Sequence, residues 1–231
     1  MITCPVTGNI PLSVSLTLNP CDYSENNLKI IDNQPVDGVK KEFGVCVKQL
    51  TYPEQEFSIK FIEWVHMLQI LGNSKIHFYN RFLHPETLKA VKYFEGLDLI
   101  EMFDFIEPSE LPNEILKTLD SFILEAAVVN DCFYRVKNLY KFVAILDPDE
   151  FIMPLNLCHR SWHDLIKSQS PSYHVYSGRM ITFPPMNQAP YEDIPKFNYM
   201  LQNVQVNFYE ILMNFTYSSI SANQKYCMEE K

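Results

Sequence analysis

Two aspartates, Asp147 and Asp149, stand two residues apart directly after an apolar run, "KFVAIL" at 141–146. Side chains two apart on an extended chain point to the same side, so both carboxylates could reach one point. Pro148 between them fixes its own φ and donates no backbone hydrogen bond, which suits the end of a strand. Paired hard oxygen donors suit Mg²⁺ or Mn²⁺, with a diphosphate completing the coordination. The pattern predicts a metal site at Asp147 and Asp149, with Glu150 turned away to orient a neighbour or a substrate.

Two other interpretations fit the same tetrapeptide, "DPDE" at 147–150. Its composition is also typical of a solvated turn. Alternatively, Asp147 could be a nucleophile in phosphoryl transfer. Aspartate-dependent phosphatases, however, place Thr or Val where Phe151 stands, and their motif usually opens the first strand of the domain. The apolar "FIMP" that follows at 151–154 argues against an exposed polar loop and favours the metal site.

Size and charge limit the classes of function. The chain has 231 residues with 47% hydrophobic content, which is enough for one sizeable core. Lys and Arg total 19 against 28 Asp and Glu, a formal net charge of −9. That balance disfavours nucleic acid and anionic membrane surfaces as partners. It allows a small phosphate ligand, because a metal ion can supply positive charge locally. No apolar run reaches the length of a membrane span and the N-terminus is a poor signal peptide, so the chain as given is predicted to be soluble.

Cysteines and histidines do not form a recognisable zinc site. The six cysteines are widely spaced, and their even number permits disulfides in an oxidising compartment. No CxxC pair is present, which disfavours a zinc ribbon or a thioredoxin-type site. His159 and His163 would share one face of a helix, but Arg160 stands where a metalloprotease needs Glu.

Apolar periodicity predicts alternating strands and helices from Gly44 onward, which is typical of a mostly parallel sheet flanked by helices. A helix over 54–72 carries one apolar stripe and ends at Gly72, and a second helix has Pro85 in its first turn. Residues 1–42 are predicted to be an irregular arm, and 43–231 a single α/β domain. The remaining predicted elements are strands at 44–50, 75–80, 97–103, 141–146 and 172–183 and helices within 84–96, 113–136, 161–168 and about 197–212.

Several of these segments, taken in order, resemble glycosyltransferase family 92. They are "VCVKQL" at 45–50, "FIEWVHMLQILG" at 61–72, "KIHFYN" at 75–80, "NDCFYR" at 130–135, "DPDEFIMP" at 147–154 and "SWHDLI" at 161–166. The resemblance covers about residues 43–185 and implies a GT-A-like fold. It also implies transfer of a hexose, galactose in the family theme, from a UDP-sugar to a glycan acceptor. The resemblance further implies an inverting, Mn²⁺-dependent enzyme held in the Golgi by an N-terminal membrane anchor, a segment that the sequence as given is not predicted to contain.

The resemblance also assigns residues. Asp147 and Asp149 match the metal-binding DxD, and the metal would neutralise the leaving diphosphate. The strand carrying Lys48 would lie under the uridine. Asp131 could hydrogen-bond donor-sugar or ribose hydroxyls, and Arg135 could pair with phosphate. With Asn130 they could equally form a polar network at a helix end. Cys132 is expected to be a disulfide partner or a core thiol.

The catalytic base is the least defined part of this interpretation. Glu192 and Asp193, in "YEDIPKF", are the acids best suited to deprotonate an acceptor hydroxyl. The family continues beyond the point where this chain stops, so the resemblance implies a chain truncated at its C-terminal side. A rival interpretation is therefore a non-catalytic relative that binds nucleotide, glycan or a protein partner without turnover.

Overall fold

The computed structural model describes residues 5–6, 8, 11–48, 50–104, 121–154, 158–169 and 174–178. In the N-terminal arm, two short strands, β1 (Ser13–Val14) and β2 (Leu28–Lys29), pair antiparallel. The arm is therefore less irregular than its sequence predicts. The two candidates for the catalytic base, Glu192 and Asp193, lie outside the described residues, as does the helix expected near 197–212.

The body of the molecule is a parallel sheet with helices between its strands, which confirms the predicted α/β fold class. Its strands are β3 (Lys41–Val47), β4 (Leu50–Tyr52), β5 (Lys75–Leu83), β6 (Ile100–Asp104) and β7 (Tyr140–Leu146). The helices are α1 (Ser58–Ile70), α2 (Pro85–Gly96), α3 (Ser121–Val136) and α4 (Trp162–Lys167). None of the helices in these described ranges is both long and apolar enough to cross a membrane.

The strand pairings fix the order of the sheet. Ile76 of β5 pairs with Val45 of β3 on one side and with Ile100 of β6 on the other. β4 continues along the same edge of β5 as β3, and β7 pairs parallel with β3. The spatial order is therefore β6, β5, β3 with β4, and β7. The sequence predicts "KFVAIL" to be a central strand, but among the described strands β7 pairs only with β3.

Alternating side chains bury both faces of the sheet. One face packs against α1 and α2 through a core that includes Phe43, Val45, Phe78, Phe61 and Phe94. The opposite face carries Cys46 and Tyr79, which pack against three buried residues of α3, namely Val128, Cys132 and Val136. This division follows from the period of two along a strand, which sends neighbouring residues to opposite faces.

Helix ends follow the predicted signals with one exception. Gly72 has a φ of +103° directly after α1, the left-handed conformation that glycine adopts without a steric cost. Pro85 is the first residue of α2, and the His84 side chain accepts a hydrogen bond from the Glu86 N–H. The sequence predicts that Gly96 closes α2, but Gly96 is still helical and Asp98 takes the left-handed position with a φ of +59°.

Several segments differ from their predicted extent. β5 runs to Leu83, three residues beyond the predicted end. β3 begins at Lys41, two residues before the predicted domain boundary. Residues 174–178, within a predicted strand, form no strand.

Two glycines provide a matched test of the packing between β3 and Tyr140 of β7. A Cβ on Gly44 would lie 2.6 Å from the ring of Tyr140, which is buried and bonded through its hydroxyl to His77 at 2.9 Å. Because that ring cannot move aside without breaking these contacts, Gly44→Ala should lower the free energy of unfolding by about 1–3 kcal/mol. Urea denaturation measures the change.

Gly96 is the control for Gly44. A Cβ there meets nothing within 4 Å, and the residue is helical. Gly96→Ala should leave stability unchanged or raise it by up to about 1 kcal/mol. Equal unfolding midpoints for the two variants would show that the contact between Gly44 and Tyr140 is not a packing constraint.

Candidate active site

Lys48 and Asp147 meet at the carboxyl edge of the sheet. Val47 and Leu146, the last residues of β3 and β7, are paired. The residues that follow them, Lys48 and Asp147, are therefore neighbours. The Lys48 Nζ donates to Asp147 Oδ2 at 3.0 Å. The carboxylate of Glu125, on α3, lies 3.8 Å from the same Nζ. The hydrogen bond that Lys48 donates to Asp147 favours the charged ammonium and raises the pKa of Lys48 above its ordinary value.

The acidic tetrapeptide is a closed turn, not the extended backbone that the sequence suggested. The Glu150 N–H donates to the Asp147 carbonyl at 3.0 Å, and the Asp147 N–H donates to Glu150 Oε2 at 3.0 Å. Pro148 is buried within the turn and Asp149 is exposed at its tip. The argument that strand alternation aims both aspartates at one point therefore does not hold. Glu150 was expected to point away from the two aspartates, but its carboxylate accepts from the Asp147 N–H and closes the turn.

Two buried tryptophans hold the segment that follows the turn. The indole N–H of Trp64, on α1, donates to the Glu150 carbonyl at 3.0 Å. The indole N–H of Trp162, on α4, donates to the Ile152 carbonyl at 2.7 Å. Both indoles are at most 2% exposed, so these bonds are shielded from water. A spacing pattern along the chain gives no sign of either bond.

The three candidate residues of the "NDC" segment lie on α3. Asp131 accepts hydrogen bonds from the Tyr79 hydroxyl and from Arg135 Nε, and the Arg135 guanidinium lies over the Phe103 ring, 5.1 Å from its centroid. Burial and the bond to Asp131 raise the pKa of Tyr79 well above its ordinary value. Asn130 is exposed and donates to the Ala126 carbonyl at 2.7 Å within its own helix.

The structure therefore joins the predicted residues into two groups. Lys48 contacts Asp147, and Asp131 contacts Arg135, whereas Asn130 and Asp149, among the described residues, join neither pair. Both groups lie on the sheet face covered by α3, because Lys48 follows Cys46 by two residues and Cys46 packs with Tyr79 in one core cluster. Glu125 was not predicted from the sequence as a residue of the site. An acid inside the apolar "FILEAAVV" was the available signal.

A buried disulfide ties α3 to the sheet beneath both groups. Cys46 of β3 is bonded to Cys132 of α3 with a Cα–Cα distance of 6.0 Å, and both residues are 0% exposed. This confirms the expectation that Cys132 is a disulfide partner or a core thiol and not a nucleophile. Cys46 lies two residues before Lys48, and Cys132 adjoins Asp131, so one covalent bond fixes both groups relative to each other.

The turn at 147–150, here called the acid turn, could hold a divalent ion only together with ligand atoms from a bound diphosphate. No three His, Cys, Asp or Glu side chains form a metal cage within the described ranges. Asp147 and Asp149 supply carboxylates on one short turn, and Mg²⁺-type ions are commonly held by one or two carboxylates together with substrate phosphates. The donor set therefore fits a hard cation delivered with a diphosphate. His163 instead pairs with Glu42 at 2.6 Å, and His159 precedes α4, so these two histidines do not share a helix face.

An open groove of about 360 Å³ lies between α1 and α2, and its lining includes Ile62, His66, Lys89 and Tyr93. None of its lining residues belongs to the acid turn, to the Lys48–Asp147 pair or to the Asp131–Arg135 pair. The groove lies on the outer helix layer, away from the charged side chains that converge at the sheet edge. It is therefore not part of the candidate site, since a catalytic pocket is expected where such side chains converge.

The sequence matches the model of glycosyltransferase family 92 over residues 41–229. This chain belongs to glycosyltransferase family 92. The match begins at the first residue of β3, and it confirms the resemblance carried by the ordered motifs. No curated protein and no solved structure matches the chain. In this family 92 glycosyltransferase, the acid turn lies at the carboxyl edge of the sheet, which is where open α/β sheets bind ligands.

Removal of the disulfide should destabilise this glycosyltransferase measurably. Cys46 and Cys132 are 86 residues apart in sequence, and cross-linking so long a loop restricts the unfolded chain strongly. The double variant Cys46→Ala/Cys132→Ala should lose about 2–5 kcal/mol of unfolding free energy, measured by denaturant titration without reductant.

Cys21 supplies the control, because its thiol is free and exposed. Cys21→Ala should keep the wild-type unfolding midpoint. A double variant as stable as Cys21→Ala would mean that the cross-link does not restrain the fold.

Proposed function

We propose that this family 92 glycosyltransferase transfers a hexose, galactose by our expectation, from a UDP-sugar to a glycan acceptor with inversion at the anomeric carbon. In this proposal Asp147 and Asp149 hold Mn²⁺ or Mg²⁺. The observation that carries it is the rigid acid turn beside Lys48 at the carboxyl edge of a parallel sheet.

The turn supports the proposal through both exposure and rigidity. Asp149 is exposed at the tip, and the Asp147 side chain is 34% exposed, so a ligand arriving from solvent could reach both. The backbone between them is closed by two hydrogen bonds and followed by a carbonyl bonded to Trp64. A site held in place before the ligand arrives spends less binding free energy on ordering.

A metal bound here would supply positive charge to the diphosphate as the glycosidic bond breaks. Lys48 would add a second positive charge at the same edge of the sheet. An acid must accept the proton of the attacking acceptor hydroxyl, and Glu192 and Asp193 remain our candidates for that base.

Asp131 and Arg135 would bind the hydroxyls and the phosphate of the UDP-sugar. Asp131 would accept hydrogen bonds from sugar or ribose hydroxyls, and the terminal Nη groups of Arg135 are the donors through which it would reach a phosphate. Asn130, exposed on the same helix, could supply an amide to either. For Asp131 to serve in this way, a ligand hydroxyl would have to share it with Tyr79 and Arg135.

The location that we propose is the Golgi lumen, where a membrane-anchored enzyme would meet glycans on glycoproteins or glycolipids. The buried disulfide supports an oxidising compartment, because such bonds persist in secretory compartments and are rare in the cytosol.

The metal assignment can be tested by UDP binding. Asp149→Asn should weaken UDP binding in the presence of MnCl₂ at least about tenfold, because the loss of a charged ligand costs roughly 1.5–3 kcal/mol. Isothermal titration calorimetry with UDP, in MnCl₂ and then in EDTA, measures the effect. The wild-type affinity should fall on chelation, and the variant affinity should not.

Asp98→Asn is the matched control. Asp98 is exposed, pairs with Lys75 at the start of β5 and has a left-handed backbone that Asn also tolerates. It should bind UDP as the wild type does. If Asp149→Asn also retains wild-type affinity in MnCl₂, the metal site is wrongly assigned. UDP release from UDP-galactose then distinguishes an enzyme from a non-catalytic relative, which would bind UDP with Mn²⁺ and release none.

A further inference from the structure

We propose that Lys48 changes its ion-pair partner when ligand binds. Without ligand, its ammonium neutralises Asp147. With a metal ion and a diphosphate bound, the ammonium would instead pair with a diphosphate oxygen, and Glu125 would keep the lysine side chain at the sheet edge. This inference rests on the proposed function, since it needs a metal at Asp147 and a nucleoside diphosphate as ligand. It adds a role for Lys48 and introduces Glu125 as a positioning residue.

The geometry gives Lys48 two anchors of unequal strength. Asp147 Oδ2 is at hydrogen-bond distance, 3.0 Å, whereas Glu125 Oε1 is at 3.8 Å, an ion pair without a hydrogen bond. The anchors belong to different elements, the end of β7 and the face of α3. If the Asp147 contact is given up, Glu125 is still placed to keep the ammonium at the sheet edge.

Partial exposure allows the exchange. The side chains of Lys48, Asp147 and Glu125 are 28%, 34% and 36% exposed. A fully buried pair would be held by the high cost of separating its charges, whereas a pair in contact with water can be separated at a modest cost. Lysine suits this role because its ammonium carries three donors on a flexible stem and accepts many geometries.

The charges supply the driving force. Asp147, Glu125 and Glu150 all act electrostatically on Lys48, so one ammonium faces several carboxylates. A divalent cation on Asp147 would repel the ammonium, and the diphosphate that arrives with the metal would attract it. Metal alone brings only the repulsion. Lys48 should therefore oppose the binding of metal by itself and favour the binding of metal with diphosphate.

This opposition gives a signature that a purely structural lysine would not produce. Lys48→Met should tighten the binding of Mn²⁺ alone by roughly two- to fivefold, the range expected for release of a partly exposed ion pair. The same variant should weaken the binding of UDP at saturating MnCl₂ by about three- to tenfold, as a charged contact to phosphate is lost. Mn²⁺ binding is followed by electron paramagnetic resonance of the free ion, and UDP binding by calorimetry.

Two further variants separate local from general effects. Lys75→Met removes a lysine that is also paired with a carboxylate, Asp98, but at the amino end of β5. It should leave the affinities for Mn²⁺ and UDP unchanged. Lys48→Arg keeps the charge and should bind UDP within about threefold of the wild-type affinity. The remaining difference would reflect the different shape of the guanidinium.

Glu125 is tested through Lys48. Glu125→Gln should lower UDP affinity in wild-type protein, because the released ammonium is no longer held at the edge of the sheet. In the Lys48→Met background the same substitution should have no further effect on UDP. Equal effects in both backgrounds would remove Glu125 from the inference.

The possible failures are distinguishable. If the wild type shows no Mn²⁺-dependent UDP binding, the proposed function fails. If the wild type binds UDP with Mn²⁺ but Lys48→Met lowers both affinities, or changes neither relative to Lys75→Met, the exchange is refuted and the metal site stands. Circular dichroism spectra and melting temperatures of the variants, compared with those of the wild type, exclude loss of folding as the cause.

Discussion

The parallel register of β3 and β7 is the constraint on which the candidate site depends. Val47 lies opposite Leu146, so the two residues that follow these strands are neighbours although they are 99 positions apart in sequence. A slip of one residue would turn every side chain of one strand to the other face. It would bury Lys48 or Asp147 among apolar residues of α1 and remove the pair. The alternation that buries the core therefore also selects the charged side chains that meet at the edge.

The face covered by α3 brings the charged groups within reach of one another. Three side chains of this helix, Val128, Cys132 and Val136, are buried against the sheet, and the disulfide adds a covalent restraint at Cys46. Glu125 precedes Val128 by one turn, which places it toward the carboxyl edge because α3 runs opposite to the strands that it covers. The same helix carries Asp131, one residue from the disulfide. Hydrophobic burial and the cross-link thus position groups whose own ion pairs are too exposed to hold a helix.

The sequence predicted the elements better than the site because the two depend on different interactions. A helix such as α1 is visible as an apolar stripe, and β3 as a short β-branched run, since both patterns follow from local geometry. The turn at Asp147 depends instead on where a single carboxylate, that of Glu150, finds a donor. Once that carboxylate accepts from the Asp147 N–H, an extended backbone is no longer possible. Local patterns contain no information on such a choice.

Contacts between distant segments were hidden for the same reason. Glu125 is one acid within an apolar helix, and its meaning depends on the strand order that places Lys48 beneath it. Tyr79 has the pattern of an ordinary strand aromatic, and only the packing of α3 shows that its hydroxyl bonds Asp131. Cys132 was predicted more successfully, since a cysteine in an apolar helix has few alternatives to a thiol in the core or a disulfide.

Rigidity is distributed unevenly across the site, and this distribution is itself informative. The backbone of the turn is fixed by two hydrogen bonds of its own and by the indoles of Trp64 and Trp162, both almost fully buried. In contrast, the groups at its surface, Asp149 and Lys48, are exposed or partly exposed side chains. A fixed backbone holds the acids at a constant distance from the sheet edge, while their partly exposed charged ends stay accessible from solvent. Both indole N–H groups are buried and need an acceptor, and the carbonyls of Glu150 and Ile152 supply one each. The two tryptophans therefore fix the backbone of the turn from its buried side and leave its charged side chains at the surface.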